Sequence, residues 1–320
     1  MIQVEDLTKR YGARTAIDRL TFHANKGEIV GFLGPNGAGK TTTMRILTGF
    51  MPPSEGSGRV AGFDLLTESL EVRKRVGYLP ESVPLYPEMT VVQYLDFMAE
   101  LRQIPNRADR VDEVMEIVRI DDRAESYIGN LSKGLRQRVG LAQALLHKPE
   151  VLIMDEPMDG LDPQQQKEVK ALIREIGKEQ TVMLSTHILA HAQELCNRVI
   201  IIAGGRIVAE DTPERLSTQI AGGGRIHLQV DGDSDGLVEA LRAISGVVDV
   251  RRVAADRFEI ETAPGVDGRA KIAHAVVTGG WRLLELHRDK ASLEEIFLEL
   301  TKDEKDAQTS AAPSEEKQST

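Results

Sequence analysis

Gly34-Pro35-Asn36-Gly37-Ala38-Gly39-Lys40-Thr41-Thr42 spells GxxxxGK[ST] directly after the apolar run Ile29 to Leu33. A strand that ends in such a loop and opens into a helix, expected here from Thr42 to Leu47, aims backbone N–H groups and the positive helix N-terminus at an anion. Asn36, Gly37, Ala38, Gly39 and Thr42 would form the cradle. Lys40 would reach the β and γ phosphates as a point charge, and the Thr41 hydroxyl would be a ligand of Mg²⁺. The expected ligand is a nucleoside triphosphate. A second run, Val151-Leu152-Ile153-Met154-Asp155-Glu156-Pro157, is short, apolar and ends in two acids. That is the pattern of a buried parallel strand delivering carboxylates to its C-terminal edge. Asp155 is expected to hold Mg²⁺ through water. Because side chains alternate along a strand, Glu156 should point elsewhere, where it can polarise the water that attacks the γ phosphate. Taken alone, an Asp-Glu-Pro is more often a strand exit with solvated acids; beside the phosphate loop the catalytic reading prevails.

Between these motifs lies Leu131-Ser132-Lys133-Gly134-Leu135-Arg136-Gln137-Arg138, followed by an apolar helical pattern through Leu146 that Pro149 stops. A small, Gly-containing helix start is an anion site in principle. Beyond Glu156 come Asp159-Gly160-Leu161-Asp162-Pro163, the strand-like Thr181 to Leu184, and Ser185-Thr186-His187. In this order and spacing the chain resembles an ABC-type ATPase subunit over roughly Met1 to Gln219. The resemblance implies an α/β P-loop ATPase domain that works as a head-to-tail dimer, a second copy of this chain or a close relative being the partner. Two ATP molecules would be sandwiched, each between one subunit's phosphate loop and the other's signature. Ser132 and Gly134 would then bind the γ phosphate held by the partner, and His187 would contact the same phosphate from the ATP-holding side. Asp159 and Asp162 would carry information between the sites. Tyr11, in Lys9-Arg10-Tyr11-Gly12, matches the aromatic that stacks on adenine in the family; read from the residues alone it is also an ordinary turn tyrosine.

Several positions depart from the commonest family pattern. Lys133 and Leu135 stand where Gly and Gln are usual, adding a cation and removing a hydrogen-bonding group. In Gly77-Tyr78-Leu79-Pro80-Glu81 the last residue replaces a glutamine that senses Mg²⁺ and the attacking water. Glu81 can bind a hard cation through oxygen, but it adds negative charge near the phosphates. Met158 replaces a small or hydroxyl residue and is read as packing.

His187 and His191 are four apart on an expected helix and could face one metal, yet no third ligand is evident and His191 reads as a surface residue. The single cysteine, Cys196, falls on one helical stripe with Ile188, Ala192, Leu195 and Val199, the pattern of a core thiol. One cysteine makes no internal disulfide, which fits a reducing compartment. The start of the chain has neither a basic end nor an apolar stretch of the kind a secretory signal needs, and runs such as Val199 to Ala203 are too short to cross a bilayer. A cytoplasmic protein, reaching the membrane only through a partner, is expected. The formal net charge of −10 disfavours a broad nucleic-acid surface.

At 320 residues the chain has room for two bodies. An ATPase domain is expected over about 1–220, with a helical insert over about 82–135. In the insert, Thr90-Val91-Val92-Gln93 is a capping-box pattern and Val111, Val114, Met115 and Val118 repeat at helical spacing. In ABC transporters such an insert forms the groove for a membrane subunit's helix, making Tyr86 to Tyr94 the candidate surface; packing within the insert explains those aromatics equally well. Ala221 to Gly224 reads as a linker. After it the order is βαββαβ, a small α+β ferredoxin-like domain over about 225–301 with a last helix capped by Ser292 and Glu295. Ala291-Ser292-Leu293-Glu294-Glu295-Ile296-Phe297 strengthens a resemblance to the C-terminal extension of ATPases from drug-resistance and gliding-motility type exporters. Residues 302–320 are polar and expected to be disordered. The expected function is ATP hydrolysis that drives a separate transmembrane permease. Two rivals are a soluble ABC ATPase acting on ribosomes or DNA, and a low-turnover regulatory switch favoured only by Glu81 and the altered signature.

Overall fold

The computed structural model describes residues 1–219, 225–232, 234–263 and 266–288. They fall into two compact units, Met1–Thr212 and the residues from Pro213 onward. In the first unit the chain runs through strands β1 (Ile2–Tyr11), β2 (Arg14–Ala24) and β3 (Ile29–Leu33), helix α1 (Lys40–Leu47), strands β4 (Glu55–Val60) and β5 (Phe63–Asp64), helix α2 (Ser69–Arg75) and strand β6 (Val76–Leu79). Helices α3 (Val91–Leu101), α4 (Arg107–Ile117) and α5 (Lys133–Leu145) follow, then β7 (Val151–Met154), α6 (Pro163–Ile176), β8 (Thr181–Thr186), α7 (Leu189–Leu195), β9 (Arg198–Ala203) and β10 (Arg206–Asp211).

A six-stranded sheet in the order β10-β9-β3-β8-β7-β6 carries the functional residues. All its pairings are parallel except β10 with β9. Every residue of β3 and of β7 is buried, as expected for central parallel strands covered on both faces. An antiparallel sheet, β2-β1-β4-β5, faces one side of it. Val4 and Phe22 from that sheet share one apolar cluster with Phe32, Met183 and Ile200 of the other and with Met44, Ile46 and Leu47 of α1. Full burial of each such side chain contributes roughly 1.5–3 kcal/mol. That packing sets where the strands stop. Leu33 lies beside Thr186, and Met154 lies between Leu79 and Leu184, so the segments after β3, β6, β7 and β8 leave the same edge of the sheet.

The capping box at Thr90 forms in both directions: Thr90 Oγ1 accepts the Gln93 N–H at 3.4 Å, and Gln93 Oε1 accepts the Thr90 N–H at 3.0 Å. Val91 and Leu95 of α3 and Val111, Val114 and Met115 of α4 are buried, fixing these helices against α5. Tyr94 is core rather than surface: it is 1 % exposed and its hydroxyl donates to Gln143 Oε1. Tyr86 stands edge-on to it and is 45 % exposed.

The second unit comprises α8 (Pro213–Gln219), β11 (Arg225–Asp231), α9 (Leu237–Arg242), β12 (Val247–Arg252), β13 (Arg257–Thr262), α10 (Arg269–Thr278) and β14 (Arg282–Arg288). Its sheet is antiparallel in the order β12-β13-β11-β14, the ferredoxin-like arrangement of a βαββαβ chain. Ile226, Leu228 and Val230 alternate onto the buried face, where they meet Leu237, Leu241, Ile272 and Val276 of the two helices. The linker at 221–224, the cap expected at Ser292 and Glu295, the Ala291–Phe297 match and the tail from 302 lie outside the described residues.

Candidate nucleotide site

The loop between β3 and α1 is built so that only glycine fits its tight places. Gly39 has φ 111°, and a Cβ there would stand 2.6 Å from Ile17 Cγ2 and 2.8 Å from the Ala16 carbonyl oxygen. At Gly34 a Cβ would come within 2.4 Å of the Ile202 carbonyl oxygen. The Ala38 N–H donates to the Pro35 carbonyl at 3.2 Å, and the Gly205 N–H donates to the Ala38 carbonyl at 3.1 Å. Ala38 thereby sits inside the loop, 3 % exposed, while Asn36 and Gly37 before it are exposed. The helix starts at once: Lys40 is its first residue, two before the expected Thr42. Lys40 is 6 % exposed, and Nζ donates to the carbonyls of Gly34 (2.8 Å) and Pro35 (3.3 Å).

The acids after β7 are held separately. Asp155, 1 % exposed, accepts the Ser185 hydroxyl at Oδ1, while its N–H donates to the Leu79 carbonyl at 2.8 Å. Its Oδ2 is buried and has no hydrogen-bond partner. Glu156 does diverge from Asp155, but not through strand alternation. The strand ends at Met154, and Glu156 adopts a left-handed backbone with φ 47°, a conformation rarely taken by side chains other than Asn and Asp. Its N–H donates to Ser185 Oγ at 2.9 Å, so one hydroxyl ties both acids to β8. Glu156 Oε2 lies 3.0 Å from His187 Nδ1, and Oε1 lies 3.3 Å from Lys40 Nζ. The Lys40 contact is an ion pair without hydrogen-bond geometry, leaving Oε1 formally unpartnered. Two buried opposite charges are stable here because each also has other polar neighbours.

These groups open onto a cavity of about 460 Å³, within the range of small-molecule sites. Tyr11, Asn36, Gly37, Gly39, Lys40, Thr41, Thr42, Glu81, Glu156, Asp159 and His187 all line it. Ala38 and Asp155 stand behind that lining. Ser132, Gly134 and Asp162 are not part of it. The Ser132 hydroxyl caps α5 by accepting the Leu135 N–H at 3.3 Å, and the Asp162 carboxylate caps α6 by accepting the Gln165 N–H at 2.9 Å. Tyr11 is 47 % exposed, with Lys9 Nζ 5.6 Å from its ring centroid, which leaves the outer ring surface accessible to a flat partner.

Arg14 and Ala16, which belong to none of the sequence motifs, also line the cavity. The signal was available for Arg14: once Tyr11 is placed on a hairpin, the register sets Arg14 directly opposite. Ser185, which carries no chemistry legible in the Ser-Thr-His run itself, lies on β8 beside β7 and reaches both acids.

The surface assignment of His191 is corrected. It is 6 % exposed, with Nε2 3.3 Å from Gln166 Oε1, because α7 packs on α6. Burial, and then the Lys170 charge, hold its pKa below the usual histidine value. His187 precedes α7 and turns to Glu156, so the two histidines do not share one helix face. Among the described residues no group of three or more His, Cys, Asp or Glu side chains is arranged to hold a metal ion. Cys196 is a core thiol that burial pushes up to about 12, and its sulfur fills the space beside Gly31. Met158 is 2 % exposed, consistent with packing.

Residues 17–159 match the family model described as ABC transporter. The linearmycin resistance ATP-binding protein LnrL of Bacillus subtilis (strain 168) is 31% identical over 308 residues, covering 94% of this chain and 98% of that protein. The daunorubicin resistance ATP-binding protein DrrA3 of Streptomyces coeruleorubidus is 34% identical over 311 residues, covering 95% and 96%. Among solved structures, an ATP binding subunit of an ABC transporter superposes with a TM-score of 0.62 at 32% identity, covering 69% of this chain and 93% of that one.

Proposed function

This chain belongs to the ABC transporter family, as an ATP-binding and ATP-hydrolysing subunit, and on that premise we propose how its residues turn ATP hydrolysis into export through a separate permease. The observation that carries the reading is the Lys40–Glu156–His187 cluster at the mouth of the phosphate loop. A triphosphate entering the cavity offers Lys40 far more negative charge than one carboxylate, so Nζ moves from Glu156 to the β and γ oxygens. Glu156 Oε1 is then left to face the γ phosphate. A water beside it gives a proton to the carboxylate as its oxygen bonds to the γ phosphorus, and the bond to the β–γ bridging oxygen breaks, releasing ADP and phosphate. His187 holds Oε2, so the carboxylate has one free oxygen to aim. Tyr11 stacks on the adenine.

The donor set fits Mg²⁺. The ion takes several waters and phosphate oxygens and needs only one or two protein carboxylates, so a cluster of three side-chain ligands is not required. The buried, unpartnered Oδ2 of Asp155 suits a water-mediated contact, with the Thr41 hydroxyl and Glu81 as further oxygen donors in the cavity. When bound, the ion neutralises charge that develops on the phosphates.

Ser132 and Gly134 lie outside the cavity lining, which supports a composite site in which they serve the γ phosphate of a partner copy. Asp159 and Asp162, which flank the connection from Glu156 to α6, would link the two sites. No helix among the described residues is long and apolar enough to cross a membrane, so transport by this chain calls for a membrane-embedded partner, with this subunit on the cytoplasmic face. The relatives named for resistance to linearmycin and daunorubicin favour outward transport. The second unit, whose sequence carries none of the nucleotide-site motifs, would serve assembly or regulation. Isolation of the full chain from native membranes tests the reading. A multi-spanning subunit should co-purify and stimulate ATP turnover, whereas a preparation carrying ribosomes or DNA instead would overturn it.

A further inference from the structure

Lys133, the cation that replaces the usual glycine of the signature, has a partner. Its Nζ lies 3.3 Å from Asp159 Oδ2. The side chain crosses Gly160, where a Cβ would stand 2.2 Å from Nζ and 3.3 Å from Cε. One residue further, the space beside Gly134 is taken by Gln165 of α6, whose Oε1 would be 2.6 Å from an added Cβ. The first turn of α5 therefore rests on the segment that follows Glu156. Asp159 closes a turn begun by Glu156, donating its N–H to the Glu156 carbonyl at 3.1 Å. The other end of that segment is secured by the Asp162 cap on α6 and by Gln166 Nε2, which donates to the Leu161 carbonyl at 3.1 Å. On the exposed side the tie is Lys133. A lysine at the first position of a helix opposes the positive end of its dipole, and the Asp159 carboxylate offsets that cost.

We propose that Lys133 is a positioning residue for hydrolysis: by holding Asp159 it fixes the turn that aims Glu156 into the cavity of its own chain. This rests on Glu156 as the base and adds what sets its aim. Glu156 sits in a left-handed conformation that its surroundings must impose, so slack in the adjoining turn lets the carboxylate drift from the attacking water. The pair is half exposed on both sides, and an approaching anion or raised salt loosens it. The aim of Glu156 is thus made sensitive to events at the start of α5.

The test uses the full chain and steady-state Mg-ATP hydrolysis. Lys133→Met keeps much of the stem over Gly160 and removes the ammonium; it should lower kcat roughly threefold to fivefold, the range an exposed ion pair can account for, with KM changed by less than about twofold. Lys133→Arg should restore most of the loss. Asp159→Asn should lower kcat similarly, and the double variant should be no worse than either single one. A raised KM with parental kcat would make Lys133 a nucleotide-binding group, and additive losses would show that the two residues act independently; either result overturns the proposal, as does an unchanged or higher kcat. Should the methionine variant fail to fold by circular dichroism, Lys133→Gly, the residue usual in the family, gives the same comparison. Parental turnover in Glu156→Gln would instead sink the reading beneath, and is measured separately.

Discussion

The edge of the parallel sheet and the start of α5 both carry groups suited to phosphate, and they are built in opposite ways. At the sheet edge the Glu156 carboxylate lies between Lys40 and His187, with Lys40 and Glu156 almost wholly buried. At the start of α5 Ser132 is exposed, its hydroxyl engaged only in capping, and the charge beside it is compensated through an exposed contact with Asp159. The first arrangement is charge-balanced by itself, and a ligand must displace an internal partner. The second is weakly satisfied and gains most from a group brought from outside. The contrast teaches that one chain carries an enclosed pocket and an open face, the two halves that the proposed shared site would draw from two copies.

The sharpest way to break the contrast is to remove the base. Glu156→Gln should still bind Mg-ATP but lose roughly 10²–10⁴-fold in turnover, since the amide cannot accept the proton of the attacking water. With hydrolysis blocked, the ATP-bound dimer should accumulate in light scattering. Turnover at the parental rate would remove Glu156 from the mechanism. Next in size is Lys40→Ala, which deletes a charge-assisted contact worth roughly 1.5–3 kcal/mol and should weaken ATP binding by about 10- to 150-fold in calorimetry. Affinity within experimental error of the parental chain would refute the role given to its ammonium.

How much of this contrast can be read from sequence depends on how local each feature is. The phosphate loop is legible because its chemistry needs contiguous residues: Gly34 and Gly39 are fixed by close contacts, and Lys40 and Thr41 by their place on the first turn. The βαββαβ unit is legible because Ile226, Leu228 and Val230 keep a clean two-residue period on a half-covered sheet. The left-handed turn at Glu156 is not. Strand periodicity foretells a divergence of the two acids, while the actual cause is a left-handed backbone at Glu156, whose N–H is tied to Ser185. His191 is buried through the meeting of α6 and α7, a long-range effect that no window of sequence contains, whereas Arg14 follows from the local hairpin register opposite Tyr11.

An intermediate effect tests whether the open face serves a second copy. Ser132→Arg places a bulky cation on the α5 cap, and Lys40→Ala disables the pocket, so each homodimer should lose both sites. In a complex carrying one chain of each kind, the intact Lys40 of the first meets the intact Ser132 of the second, and one site should return. About half of the parental photolabelling by an ATP analogue is expected if the sites are independent. No labelling above either homodimer would show that the pocket and the α5 start do not combine between chains.

The smallest effect is expected where the cavity departs from the family by a single oxygen-for-nitrogen exchange. Glu81 lines the cavity on the segment after β6, is exposed, and can offer oxygen to a hard cation, yet its charge adds to that of the phosphates. Glu81→Gln keeps one oxygen and removes the charge. ATP should bind slightly more tightly, and turnover should stay within about threefold of parental, because an exposed charge is largely screened by solvent and salt. The Mg²⁺ concentration for half-maximal turnover separates the two contributions: losing a carboxylate ligand raises it, whereas relieving phosphate repulsion leaves it unchanged and lowers KM for ATP. An inactive Glu81→Gln chain with normal ATP binding would make the carboxylate essential, and the pocket would then carry two acids that act on the water instead of one.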